Sequence, residues 1–157
     1  MVTTVADLGD GVGDALDVLE LATAVLNRNL EMLRRRTDVY TDLDRAEYLV
    51  LRTLVQFGQA DIGSLAAALG VDPSTAGRQV AGLEARGLID RTAAEDDRRR
   101  SIVAPTDEGR RRTDLTRRRR RTATADMLSD WTADELRRLG ELLTRYNKAV
   151  ADRYLTR

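Results

Sequence analysis

The chain has 157 residues, of which 42% are hydrophobic and only 4% aromatic, so leucine, valine and alanine must form most of its core. It contains neither cysteine nor histidine, which excludes disulfides and thiol chemistry and removes the commonest metal ligand and general base. We therefore expect no bound metal, no cofactor and no enzymatic activity.

Charged and apolar residues are unevenly distributed along the chain. The 26 basic and 26 acidic side chains give a net charge of zero, which by itself argues against nucleic-acid binding. Residues 1–20, however, carry five acidic and no basic side chains, whereas residues 86–121 carry thirteen arginines, and a polyanion responds to the local field. No apolar run approaches the ~20 residues of a membrane helix or resembles a secretion signal, so we expect a cytoplasmic protein with no membrane partner.

The N-terminal third is predicted to contain two helices. Residues 1–13, with glycines among acidic residues, are expected to form a flexible acidic N-terminus. Apolar residues at spacings of three and four predict a first helix over 14–36 and a second over 44–57, which Gly58 ends. The residues expected to face inward from the second helix are Ala46, Leu49, Val50, Leu54 and Phe57.

Two short helices and two strands are predicted next. The helices cover 61–69 and 73–86, and a glycine ends each of them. The strands cover 88–91 and 101–106 and flank the charged run 95–100. Helix, tight turn, helix, strand, basic loop and strand is the order of a winged helix-turn-helix, which places one helix in a DNA groove and a basic loop beside it.

Two further helices are predicted after the second strand. Thr106 is placed to cap a helix over 107–129, and Thr132 with Glu135 forms a capping box for a last helix to about residue 154. The first and last helices of the chain both carry long apolar stripes, which a winged-helix lobe does not need for its own small core. Such stripes usually pack against a second copy of the chain, so we expect a homodimer.

These elements predict a mainly α fold with a small β-wing. A winged helix-turn-helix DNA-binding lobe is assigned to residues 41–106. A helical dimerisation domain is assigned to residues 14–40 and 107–157.

The second helix of the helix-turn-helix, over 73–86, has two distinct faces. Ala76, Val80 and Leu83 share one side and are expected to face the core. On the opposite side Arg78 is the only long side chain among small residues. The small residues would let this face approach DNA closely.

Candidate DNA contacts follow from the exposed face. Arg78 is our first choice for a base contact, because a guanidinium can bond guanine O6 and N7 bidentately, although a solvated surface arginine is the alternative. Gln79 is placed to reach adenine or a phosphate. Ser74 and Thr75, at the helix N-terminus, are placed to bond phosphate.

Two glycines interrupt the same helix. Gly77 and Gly82 each lower helix stability by roughly 1 kcal/mol relative to alanine, so each needs a compensating reason. Either close approach to DNA or packing against another helix of the fold would supply it.

The charged run is the candidate wing. Asp97 and Arg99 are two residues apart, as the partners of a strand-turn ion pair would be. Arg98 and Arg100 would then point elsewhere, and one of them could enter a narrow, negative minor groove. The alternative is a solvated charge cluster.

Several of these segments together resemble the MarR family of bacterial transcriptional regulators. The matching segments are Leu65 to Thr75, Leu83 to Arg91, Asp97 to Arg99, and Thr106 with Gly109 three residues on. The resemblance implies a homodimer on a palindromic operator in double-stranded DNA, usually a repressor, often released by a small aromatic or anionic ligand.

The resemblance also implies roles for particular residues. It places Ser74, Thr75, Arg78 and Gln79 in the major groove and makes Arg99 the wing arginine with Asp97 as its partner. The chain departs from the family pattern at Pro105, where the family usually has leucine. Because proline cannot donate to a strand ladder, we expect it to shorten the second wing strand.

The resemblance further implies an effector site where the dimerisation helices meet the winged-helix lobe. The candidate wall residues are Leu33, Arg36, Tyr40, Tyr48 and Arg52. Core packing explains each tyrosine equally well.

The arginine run 117–121 is unusually dense for the family. Five consecutive residues point all round a helix, so pairing with acidic residues of the same or a partner chain, attraction to the DNA backbone, and solvation all remain open.

Two other classes of function were weighed against a DNA-binding regulator. A winged-helix dimer that docks a protein partner without specific DNA binding is favoured by the neutral net charge and opposed by Arg78 and the arginines 98–100. An enzyme is disfavoured, because the sequence shows no nucleophile–base pair, phosphate-binding loop or metal cluster.

Overall fold

The computed structural model describes residues 14–94 and 100–154, which lie in two units, Met1–Tyr40 and Thr41–Arg157. The elements in chain order are α1 (Ala15–Arg36), α2 (Arg45–Phe57), β1 (Ala60–Asp61), α3 (Ile62–Leu69), α4 (Pro73–Ala85), β2 (Ile89–Ala93), β3 (Ser101–Pro105), α5 (Asp107–Met127) and α6 (Ala133–Tyr154). The mainly α fold with a small β-wing is therefore confirmed. The predicted flexible N-terminus, 1–13, lies outside the described residues.

The first unit consists of α1 and the segment that follows it. Asp14 caps the helix, because its carboxylate accepts hydrogen bonds from Leu16 N (2.7 Å) and Asp17 N (3.1 Å). Thr37 ends the helix by donating its backbone N–H to Leu33 O (3.0 Å). No residue of α1 is buried. Its exposed large apolar side chains are Leu16, Val18, Leu19, Leu26, Leu30 and Met32.

The second unit has its core beneath the helix-turn-helix. The largest fully buried side chains there are Leu43, Val50, Leu51, Leu54, Leu65, Val80, Leu83, Leu88, Ile89 and Val103. Helix α2 supplies three of these residues because α3, α4, α5 and β3 all pack against it.

The predicted inward face of α2 was partly wrong. Leu49 is 56% exposed and Phe57 is 61% exposed, whereas Tyr48 and Leu51 are buried. The apolar residues of α2 extend beyond the part of its surface that the neighbouring helices and strands cover. Leu49 lies on the side away from Leu51 and Leu54, and Phe57 occupies the last helical residue, beyond the core.

The three strands form an antiparallel sheet in the order β1-β3-β2. Strand β1 was not predicted, because two residues carry no periodic signal. It pairs Ala60 with Val103 and Asp61 with Ile102.

The prediction that Pro105 shortens the second wing strand was wrong, since β3 runs to Pro105, which pairs with Ile89. Thr106 N donates to Leu88 O (3.1 Å) and Ala94 N to Arg100 O (2.9 Å). In an antiparallel ladder such bonds fall on alternate residues, so the nitrogen of Pro105 faces away from β2. The nitrogen points to the side of β3 on which β1 lies, but β1 does not extend as far as Pro105. No ladder hydrogen bond is therefore lost.

Helix α5 begins in close contact with α2 and with Leu88, the residue before β2. Thr106 caps it by accepting a hydrogen bond from Gly109 N (3.0 Å). At Gly109 an added Cβ would lie 2.1 Å from Leu88 O and 3.4 Å from Leu51 Cδ2. Only glycine allows the backbone of α5 to cross Leu88 at this distance.

Two threonines of α5 are buried one turn further on. Thr113 Oγ1 donates to Gly109 O (2.7 Å), whereas Thr116 Oγ1 has no hydrogen-bond partner among the described residues. An unsatisfied buried hydroxyl lowers stability by about 1–3 kcal/mol. We therefore expect Thr116→Val to raise the free energy of unfolding by about 1 kcal/mol, measured by urea denaturation at fixed protein concentration.

Thr113→Val is the matched control for that substitution. It removes a hydroxyl from the same buried face of the same helix, but this hydroxyl is hydrogen-bonded. It should lower the free energy of unfolding. Equal effects of the two variants would contradict the difference in hydrogen bonding.

Helix α6 begins as predicted. Thr132 N donates to Glu135 Oε2 (2.8 Å) and Glu135 N donates to Thr132 Oγ1 (3.3 Å), the two bonds of a capping box. No residue of α6 is buried. Its exposed large apolar side chains are Leu136, Leu142, Leu143, Tyr146, Val150 and Tyr154.

Candidate nucleic-acid interface

The turn before α4 fixes where this helix starts. Gly70 adopts the left-handed conformation (φ 67°) that ends α3, and Val71 N donates to Ala66 O (3.1 Å). Asp72 then caps α4 by accepting a hydrogen bond from Thr75 N (2.8 Å), and Pro73 occupies the first helical position.

The buried side of α4 is the side that the sequence predicted. Ala76, Val80 and Leu83 have no exposed surface. Because these side chains are buried, the opposite side of α4 faces solvent. The exposed residues of that side are Ser74, Arg78, Ala81, Gly82 and Ala85, with Thr75, Gly77 and Gln79 half-buried at its flanks.

A hydrogen-bonded chain of side chains lies at the N-terminal end of this exposed side. The hydroxyls of Ser74 and Thr75 both donate to the carboxylate of Asp72. Ser74 donates to Oδ1 and Thr75 to Oδ2 (2.7 Å). Arg78 Nη2 in turn donates to Thr75 Oγ1 (2.9 Å). The hydrogen bonds from Ser74 and Thr75 hold the pKa of Asp72 well below its usual range, so the carboxylate is charged at neutral pH.

The two glycines of α4 have open surroundings. Apart from the adjoining residues and the backbone of α4 itself, no described atom lies within 4 Å of the position that a Cβ would take at Gly77 or Gly82. Packing against another helix among the described residues therefore does not explain them, and close approach to DNA stays a prediction.

Two arginines near the end of α4 stabilise the fold. Arg86 pairs with Glu47 of α2 and donates to Asp42 O (2.7 Å). Arg91 of β2 pairs with Glu84 of α4 (3.0 Å). Neither pair was predicted, because the acidic partners are distant in sequence or on another element.

The wing is described only at its base. Asp97, Arg98 and Arg99, including the predicted ion pair, lie outside the described residues. Arg100 Nη1 lies 3.9 Å from Asp61 Oδ2 at the start of α3. The pKa of Asp61 is lowered mainly by hydrogen bonds from Ser64 and also by the charge of Arg100.

Most of the arginine run is paired within the chain. Arg117 and Arg118 both contact Asp114 (3.0 and 2.7 Å), and Arg119 contacts Asp42 (2.7 Å). The guanidinium of Arg120 lies 5.2 Å from the centroid of the Tyr48 ring. Of the three interpretations weighed for this run, intramolecular pairing is the one that the contacts favour.

The candidate effector residues differ in exposure. Tyr48 is buried beneath Arg120, while Leu33, Tyr40 and Arg52 are half-buried and Arg36 is exposed. A surface depression of about 420 Å³ on α1 includes Arg36 among the predicted residues. Its described lining is Arg28, Glu31, Met32, Arg35 and Arg36.

Other kinds of site are not apparent in the part of the chain that the structure describes. Within residues 14–94 and 100–154, no three acidic side chains come together in a way that could hold a metal ion. None of the described helices is long and apolar enough to cross a membrane.

Comparisons with known proteins agree with this arrangement. The MarR family matches residues 43–101. A Bacillus subtilis (strain 168) relative, the uncharacterized HTH-type transcriptional regulator YxaD, is 37% identical over 123 residues, which are 78% of this chain and 84% of that protein.

Two solved structures extend the similarity to most of the chain. The PcaV transcriptional regulator from Streptomyces coelicolor, solved in complex with its natural ligand, is 26% identical, has a TM-score of 0.68, and covers 96% of this chain and 99% of its own. The transcriptional regulator SlyA has a TM-score of 0.71 at 21% identity, covers 90% and 97% of the two chains, and shows the fold alone. These similar proteins are regulators and not enzymes, the class that the order of elements and the family resemblance predicted.

Proposed function

The chain belongs to the MarR family of transcriptional regulators, and on that premise we propose that it is a homodimeric repressor that binds a palindromic DNA operator in the cytoplasm and is released from it by a small aromatic or anionic ligand. The exposed side of α4 is the observation that carries the DNA-binding part of this proposal. It presents Arg78 among small residues, with two glycines whose surroundings are open. In the proposed complex α4 lies in the major groove, and Ser74, Thr75, Gly77, Arg78 and Gln79 are the residues that face DNA.

Dimerisation is supported by the exposed apolar faces of α1 and α6. Leu16 is 73% exposed, and Leu142 and Tyr146 are 45% and 49% exposed in the single chain. Leaving this much apolar surface in water is unfavourable, and burial recovers about 25 cal/mol per Å². A second copy of the chain would cover these faces and present two α4 helices to DNA.

The wing is proposed to complete each half of the interface. Arg98, Arg99 and Arg100 would contact the minor groove or the backbone, with Asp97 orienting Arg99. The ligand part of the proposal is supported by the solved complex of PcaV with its natural ligand. Leu33, Arg36, Tyr40, Tyr48 and Arg52 remain the residues that we propose for the ligand.

Selection from a randomised double-stranded DNA pool, followed by titration of the selected duplex at two salt concentrations, tests the proposal. We expect an enriched two-fold symmetric motif whose half-sites lie about one helical turn, ~10 base pairs, apart. Affinity for the selected duplex should fall with added salt, because phosphate contacts release counterions. Failure to enrich any sequence would overturn the proposal in favour of a protein-docking module.

A further inference from the structure

We propose that Thr75 is a positioning residue that holds Arg78 ready for its base, through a relay that ends at the charged carboxylate of Asp72. This role rests on the proposed function and deepens it, since it concerns the same DNA-reading side of α4. It differs from the phosphate contact that the sequence suggested for the Thr75 hydroxyl.

The hydrogen-bond directions support this role. The single hydroxyl proton of Thr75 is directed to Asp72 Oδ2 (2.7 Å), so it is not available to a phosphate oxygen. The Thr75 oxygen accepts from Arg78 Nη2 (2.9 Å). Because Asp72 is ionised, its charge polarises the hydroxyl and makes the oxygen a better acceptor for a guanidinium.

The carboxylate also makes this helix N-terminus a poor site for a second anion. Asp72 already accepts hydrogen bonds from Thr75 N and from the hydroxyls of Ser74 and Thr75. A phosphate brought to the same place would meet a negative charge. The electrostatics therefore favour an internal role for these hydroxyls.

The relay leaves Arg78 able to read a base. A guanidinium has five N–H donors, and the bond to Thr75 uses one of them. A bidentate contact with guanine needs two more. Restricting the long side chain before DNA binds reduces the entropy that must be lost on binding.

Ser74 provides a matched control. Its hydroxyl donates to the same carboxylate, but no bond joins it to Arg78. Thr75→Val removes the relay and keeps the branched shape, and the capping bond from Thr75 N to Asp72 remains. Thr75→Ser keeps the hydroxyl, and Ser74→Ala removes only the neighbouring one.

The test measures the binding of each variant to the selected operator and to a shuffled duplex, in the natural background and in Arg78→Ala. We expect Thr75→Val to weaken operator binding about two- to tenfold, the range for one hydrogen bond, and to leave shuffled-duplex binding unchanged. Thr75→Ser should bind like the unsubstituted protein, and Ser74→Ala should have the same effect in both backgrounds, because no bond joins Ser74 to Arg78. In the Arg78→Ala background, Thr75→Val should have no further effect, because its target is gone.

Each other outcome overturns the role of Thr75. A loss that persists in the Arg78→Ala background, or that is equal on the shuffled duplex, would mean that Thr75 contacts DNA itself. No loss in either background would mean that Arg78 is not positioned by Thr75. If the unsubstituted protein selects no operator, both the proposed function and this role of Thr75 fail. If it selects an operator that Thr75→Val binds equally well, only the role of Thr75 fails.

Discussion

Replacing Gly109 by alanine is expected to destabilise the protein by about 3 kcal/mol, the upper part of the usual range for overpacking a close contact. The new Cβ would lie 2.1 Å from Leu88 O, closer than any non-bonded contact allows. Leu88 O cannot simply move away, because it accepts the hydrogen bond from Thr106 N that joins β2 to the start of α5. Relief of the clash must therefore separate α5 from β2 or break that bond.

Thermal unfolding at fixed protein concentration measures the effect. A loss of this size lowers the midpoint by roughly 10 °C for a domain of this length. Gly82→Ala is the control, because it makes the same change at an exposed helix position where the new Cβ would meet no described atom beyond the adjoining residues and backbone of α4 itself. It should raise the midpoint slightly through helix propensity. Similar behaviour of the two variants would contradict the packing described at Gly109.

Replacing Arg78 by alanine is expected to weaken binding to the selected operator by about 1–3 kcal/mol, the value of one bidentate base contact. Binding to a shuffled duplex should change little, since that binding rests on phosphate contacts. Stability should also be preserved, because Arg78 is exposed and its described hydrogen bond is to a neighbour on the same helix turn. Competition titrations with the two duplexes measure the difference.

Arg78→Lys distinguishes base recognition from a phosphate contact. Lysine keeps the positive charge but lacks the planar fork that bonds two acceptors side by side. Discrimination between operator and shuffled duplex should therefore fall for lysine as well as for alanine. Full recovery by lysine, together with an equal loss on both duplexes for alanine, would show that Arg78 contacts only the backbone.

The start of each helix was predictable because its capping contacts are local. Asp14, Asp72 and Thr132 each bond a backbone N–H within three residues, so the signal lies within one turn of sequence. The core side of α4 was predictable for a related reason. A short helix with three apolar residues on one face has only one way to bury them.

The side of α2 that is buried was decided by its neighbours. Leu49 and Phe57 are as apolar as the residues that are buried, and only the placement of the surrounding helices leaves them exposed. The effect of Pro105 was likewise decided by the sheet. Which way its nitrogen faces depends on the register of β3 against β2, and this register does not follow from proline itself.

Sequence alone determined the order of the helices and of the two wing strands, the exposed side of α4 and the absence of cysteine and histidine chemistry. Tertiary structure alone decided which arginines pair with distant residues of the same chain. Arg86 and Arg119 both contact Asp42, from which they are 44 and 77 residues away in the sequence. The burial of other residues brings such partners together when the chain folds. No local sequence pattern therefore distinguishes an arginine that stabilises the fold from one that would bind DNA.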